Sequence, residues 1–221
     1  MNKIVKASVP TRKKIKIKWF NEKCQINTER KIDVQYSVNS VSSNKLTWEA
    51  IIKYVIIKDG ESIDLPVNSP MTLYKNNLPF LFLNTSECIG NKIISEELID
   101  DDIIVEDDIV QIKEGEPKIT FEEALQPKEH IEVRTRFDRI SRKINIENKL
   151  NNPIDLNLDF KQTKDIMFVS SQPEPTEIEE PNRIYTVKIP PESNTKVILE
   201  LQAKIVTRVT KIKPEYVNKL K

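Results

Sequence analysis

Between residues 142 and 209 apolar and polar side chains alternate strictly. The apolar set runs Ile144, Ile146, then Ile154, Leu156, Leu158, Phe160, then Tyr185, Val187, Ile189, then Val197, Leu199, Leu201, Ala203, Ile205. A period of two sends successive side chains to opposite faces of a sheet, so each run is a strand with one buried face. The runs break at Asn151-Asn152-Pro153 and at residues 190–194 (PPESN), both turn-forming chemistry. The pattern predicts an all-β chain, an antiparallel immunoglobulin-like β-sandwich with little helix.

The rest of the chain carries the same rhythm more loosely. Residues 13–19 (KKIKIKW) alternate as a first strand with a lysine face. Ile32, Val34, Tyr36 and Val38 make a second, and a long strand is expected from Leu46 to Ile57, with Trp48 and Tyr54 in the core. Asp59-Gly60 reads as a turn, and short strands are expected around 63–67, 71–74 and 80–83, between prolines. Ser95 could open one helical turn, and 118–125 reads as strand or short helix. Ile131, Val133, Thr135 and Phe137 alternate into the C-terminal half, Phe137 being read as core. Residues 172–182 are acidic and proline-rich, which leaves a loop or an edge segment. The last strand, about 196–209, would span roughly 40 Å and is expected to bend or change sheet. A loop at residues 114–117 suggests two sandwich units, 1–116 and 117–221.

Three glycines in 221 residues are few for turns that need positive φ. Asparagine, which tolerates the left-handed region next best, is the expected substitute.

Charge is segregated although the net is only +1. Residues 1–21 hold seven lysines and arginines and no acid, among them Lys14, Lys16 and Lys18. Residues 96–108 hold eight acids and no base. The two patches suit contact with each other, within one molecule or between copies. A near-neutral total and a basic strand without interleaved aromatics argue against nucleic acid.

Catalytic signatures are absent. His130 is the single histidine, no Gly-x-Ser-x-Gly occurs, and three scattered glycines cannot form a phosphate cradle. Asp100, Asp101, Asp102, Asp107 and Asp108 are the best metal candidates, because hard cations take about six to eight oxygens. Their spacing is not that of a calcium loop, and a solvated acidic edge serves equally well. No cofactor is expected. Cys24 and Cys88 show no zinc spacing and no disulfide framework. No segment approaches the roughly 20 apolar residues of a membrane span, and no signal-peptide core is visible. A cytoplasmic location follows by default, though a secreted chain relieved of its leader would read the same.

Three segments together resemble a family: residues 69–81 (SPMTLYKNNLPFL), 144–158 (INIENKLNNPIDLNL) and 187–201 (VKIPPESNTKVILEL). In that order they look like the conserved β-sandwich domain of the mucoidy-inhibitor-A-like proteins, a family of uncharacterised function. The latter two also resemble immunoglobulin-like modules in general. The family's coiled coil and further N-terminal domain have no counterpart here. The resemblance implies a sandwich without enzymatic activity.

The expectation is therefore a non-enzymatic protein that binds a protein partner or itself. Its contact residues would come from Lys14, Lys16 and Lys18, from Tyr74 and Phe80, from Glu106, and from Glu177 and Glu179. The alternatives are a metal-assisted hydrolase built on residues 100–108 and an extracellular or capsid-like structural subunit. Glycan at Asn84 or a Cys24–Cys88 disulfide would mark the last.

Overall fold

A computed structural model describes residues 24–58, 68–75 and 78–217, with backbone only for Cys24, Lys58, Lys75, Phe80, Glu215 and Val217. The expected strands at 13–19 and 63–67 and the Asp59-Gly60 turn lie outside the described residues. The elements are β1 (Cys24–Val34), β2 (Lys45–Trp48), β3 (Ala50–Lys58), β4 (Pro70–Lys75), β5 (Leu78–Ile89), β6 (Lys92–Ser95), β7 (Leu98–Ile99) and β8 (Ile103–Lys113). They continue with β9 (Lys118–Glu123), β10 (Glu129–Asn148), β11 (Ile154–Lys161), β12 (Ile166–Gln172), β13 (Glu177–Glu179), β14 (Asn182–Ile189), β15 (Ser193–Ile212) and one helical turn, α1 (Pro214–Val217). The described residues are mostly strand, arranged as an all-β sandwich of antiparallel-rich sheets. It divides into two compact units, residues 1–29 with 51–98 and residues 30–50 with 99–221, so Pro117 lies inside the second.

In the second unit, one sheet runs β13-β14-β11-β1 and the other β12-β15-β10-β8-β2, with β9 also on β10. The alternating residues read from sequence make its core. Ile144, Ile146, Leu158, Phe160, Ile189, Val197, Leu199 and Ala203 are fully buried, alongside Ile32 and Val34. Burial of this apolar surface is the main force holding the two layers together. Residues 31–34 of β1 pair with β11 in parallel, a direction that alternation cannot encode.

β10 and β15 form one uninterrupted antiparallel ladder, from Glu129↔Ile212 to Asn148↔Ser193. Of the bend or change of sheet expected in the last strand, the change of sheet does not occur. β15 stays on β10 throughout, because the same partner offers it hydrogen bonds along its whole length. Phe137, expected in the core, is 46% exposed. The reason is parity. The inward residues Ile140, Ile144 and Ile146 are even-numbered, so in one continuous strand Phe137 faces the other way.

Two further expectations change. The single strand from Leu46 to Ile57 is two strands separated at Glu49, with β2 paired to β8 through Lys45↔Asp108 and Trp48↔Val105. Apolar alternation reads the same across a one-residue break. The helical turn at Ser95 is replaced by β6 and β7.

In the first unit, β6 joins β3 to β5, and β4 pairs with β5. Its small core is Ile56, Leu73, Leu83 and Ile93, with Tyr54, Met71, Leu81 and Cys88 packed against it.

Glycine is needed at Gly115, whose N–H donates to Asp138 Oδ1 at 3.0 Å. A Cβ there would collide with the backbone of Phe137. Positive φ falls on Asn68 (63°), Gly90 (59°) and Glu192 (47°). Asparagine thus replaces glycine at one such turn, and a glutamate does at another.

Candidate functional site

The β4–β5 hairpin of the first unit has one face on the core and one in solvent. Leu73↔Leu81 and Met71↔Leu83 are pairs of the inner face. Thr72↔Phe82 is a pair of the outer face, where Tyr74 also projects. Phe82 is 73% exposed and Tyr74 64% exposed, and Leu78 at the start of β5 is as open. Pro70 begins β4, which is the last strand of its sheet among the described residues, a position where a missing N–H costs nothing. Tyr74 and Phe82 stay mostly exposed among the described residues. The Phe80 side chain, grouped with Tyr74 from sequence, lies outside the described atoms.

The acidic segment does not gather into one cluster. Asp100 is buried and takes Arg30 Nε on Oδ2 at 2.7 Å, while its Oδ1 accepts the Asp102 N–H at 3.3 Å. Asp101 and Asp102 are exposed. Glu106 pairs with Lys45 at 2.7 Å on the surface, and Asp108 lies 3.8 Å from Lys143. Asp107 turns the opposite way, into the core of the second unit, with no exposed side-chain surface. Among the described residues no group of three or more His, Cys, Asp or Glu side chains is placed to hold a metal ion.

Asp107 is the centre of a buried polar cluster. Arg142 Nε donates to Oδ1 at 2.8 Å, and the Tyr36 hydroxyl and Trp48 Nε1 donate to Oδ2 at 2.7 and 2.9 Å. The other Arg142 nitrogens reach the carbonyls of Val41 and Ser43, both at 2.8 Å, and of Asp107 at 3.1 Å. Tyr36 stacks edge-on to Trp48, and the guanidinium lies 5.3 Å from the Tyr36 ring centre. Burial, and then the Asp107 charge, pushes the Tyr36 hydroxyl far above its usual pKa, so it stays a hydrogen-bond donor. Each of these polar groups faces a partner. The cluster fastens the loop at 37–44 onto the sandwich, because Arg142 satisfies the Val41 and Ser43 carbonyls. Sequence inspection took Asp107 for a possible ligand and passed over Arg142. The signal was present: both occupy inward positions of an alternating strand, after Ile103 and Val105 and between Ile140 and Ile144.

The remaining sequence candidates are dispersed. Glu177 and Glu179 are exposed on β13, the end strand of its sheet among the described residues. Lys14, Lys16 and Lys18 lie outside the described residues. His130 stacks edge-on against Phe121, with no carboxylate–nucleophile pair beside it in the contacts described. Surface depressions of the second unit are shallow. One of about 370 Å³ is lined by Lys31, Asp33, Asp159 and Lys161, and Lys31 already pairs with both aspartates. No helix among the described residues is long and apolar enough to cross a membrane. Exposed apolar side chains that sequence reading did not single out include Ile119 and Phe121 of β9.

No family model matches the chain, and no curated protein or solved structure does either.

Proposed function

We propose that this protein is a non-enzymatic interaction module, in which a β-sandwich scaffold carries an aromatic face that engages another protein. The observation that carries the reading is the exposure of both Tyr74 and Phe82 on the β4–β5 hairpin. Large aromatics left in water are costly to a free monomer and valuable at the centre of an interface. The polar groups with the strongest local interactions, around Asp107, are consumed in holding a loop and have no access to substrate. The resemblance of residues 69–81, 144–158 and 187–201 to a sandwich-domain family, which implies no enzymatic activity, points the same way. The finer assignment of the sandwich as immunoglobulin-like, resting on its two facing sheets, belongs to this same proposal.

The test is the double substitution Tyr74→Ser with Phe82→Ser. The tagged variant is expected to keep the wild-type circular dichroism and melting temperature. In an extract of its own host it is expected to run on gel filtration at its free size, where the wild type runs in a larger complex. A wild type that runs at its free size under the same conditions would contradict the reading.

A further inference from the structure

We propose that two copies of this chain pair edge to edge through β9, antiparallel about a two-fold axis at Thr120. The inference accepts the reading of the chain as an interaction module but uses a different surface, in the second unit.

β9 is hydrogen-bonded to β10 on one side, and no strand lies on its other side among the described residues. All six of its residues are exposed, Ile119 at 48% and Phe121 at 66%. A strand edge of this kind presents unpaired N–H and C=O groups, and neither a proline nor a bulge interrupts it, although Lys118, Glu122 and Glu123 place charge along it. The edge is a template for another strand, and its sequence states which one.

Residues 118–122 read Lys-Ile-Thr-Phe-Glu. Reversed against themselves about Thr120, they set Lys118 opposite Glu122 of the second copy and Ile119 opposite its Phe121. Thr120 then meets its own equivalent, and the ion pair and the apolar pair each occur twice. Opposite charges and apolar–aromatic pairs are the favourable cross-strand combinations, and a two-fold interface must be complementary to itself. The faces agree as well. Through the register with β10, Ile119 and Phe121 lie on the side of Arg134 and Glu132, while Lys118, Thr120 and Glu122 lie on the side of Val133. The apolar pairs therefore collect on one face and the ion pairs on the other. β13 supplies the contrast. Its Glu177-Ile178-Glu179, reversed on itself, sets glutamate against glutamate, so that edge repels a copy of itself.

Light scattering of the wild type is expected to give a concentration-dependent mass rising toward twice the 25.7 kDa of one chain. Lys118→Glu alone, or Glu122→Lys alone, puts like charges opposite each other at two places and is expected to weaken association about tenfold or more. The double exchange restores opposite charges and is expected to restore the dimer. Thr120→Cys, with Cys24 and Cys88 replaced by serine, is expected to oxidise to a linked dimer, whereas Lys118→Cys is not. A wild type that stays monomeric at high concentration overturns the proposal. So does a dimer indifferent to both single charge changes. Neither outcome touches the β4–β5 surface, whose own test is separate.

Discussion

Arg142 and Asp107 meet with no exposed surface on either side chain, Nε standing 2.8 Å from Oδ1. The pair joins β10 to β8 and, through the Val41 and Ser43 carbonyls, joins both strands to the loop before β2. A charge buried this deeply is tolerable only while its partner is present. Arg142→Met is therefore expected to destabilise the protein by about 3–5 kcal/mol, and Asp107→Leu by a similar amount. Urea denaturation of each variant measures this. Replacing both together should cost less than the two single losses added, because neither charge is then stranded.

Tyr36 sets a limit at alkaline pH. Its hydroxyl remains protonated in the folded protein and ionises near pH 10 in the unfolded chain. Above that pH the unfolded state binds fewer protons, so stability falls as pH rises, by about 1.4 kcal/mol per pH unit for this group. Below pH 10 its contribution is complete. The difference in slope between wild type and Tyr36→Phe, from denaturation series on either side of pH 10, isolates it.

Asn148 is a second buried anchor. Its amide donates to the carbonyls of Asn152 and Pro190, both at 3.0 Å, and its oxygen accepts the Leu150 N–H at 3.0 Å. It thereby holds the turn after β10 against the turn before β15. Asn148→Ala removes these bonds and a longer one to the Ile189 carbonyl at 3.4 Å, stranding their partners, for an expected loss of about 2–3 kcal/mol. Chemical denaturation checks the magnitude.

Glu192 occupies the left-handed region at φ 47° while its N–H donates to the Leu150 carbonyl at 3.0 Å. Glycine takes that conformation without strain from a Cβ. Glu192→Gly is expected to leave stability unchanged or raise it by up to about 1 kcal/mol, whereas Glu192→Val should lower it. Melting temperatures of the two variants, compared with wild type, decide the sign.

The sandwich core was legible because its signal is periodic and local. Ile144 to Ala203 alternate, and the strands that hold them alternate in burial. Parity also contained the exposure of Phe137, once 131–137 and 140–146 were seen as one strand with opposite phases. The parallel pairing of β1 with β11 was not legible, since direction depends on long-range hydrogen bonds that leave no mark on side-chain order. The break at Glu49 was hidden because apolar alternation continues unchanged across a single residue. At the candidate site, Tyr74 could be nominated by type and by its proline-broken surroundings. Its exposure could not, because the same aromatic reads identically on either face of a strand. Asp107 illustrates the converse error: a carboxylate in an acidic run looks available, and although its inward parity was legible, its pairing with Arg142 depends on the long-range register of β8 on β10.

The most direct test of the interaction reading is a photo-crosslinking side chain installed at Phe82, with Glu87 on the same strand as control. The account predicts that irradiation in host extract gives a discrete adduct from position 82, lost on Tyr74→Ser, and none from position 87. No adduct at position 82, or the same adducts from both positions, would contradict it.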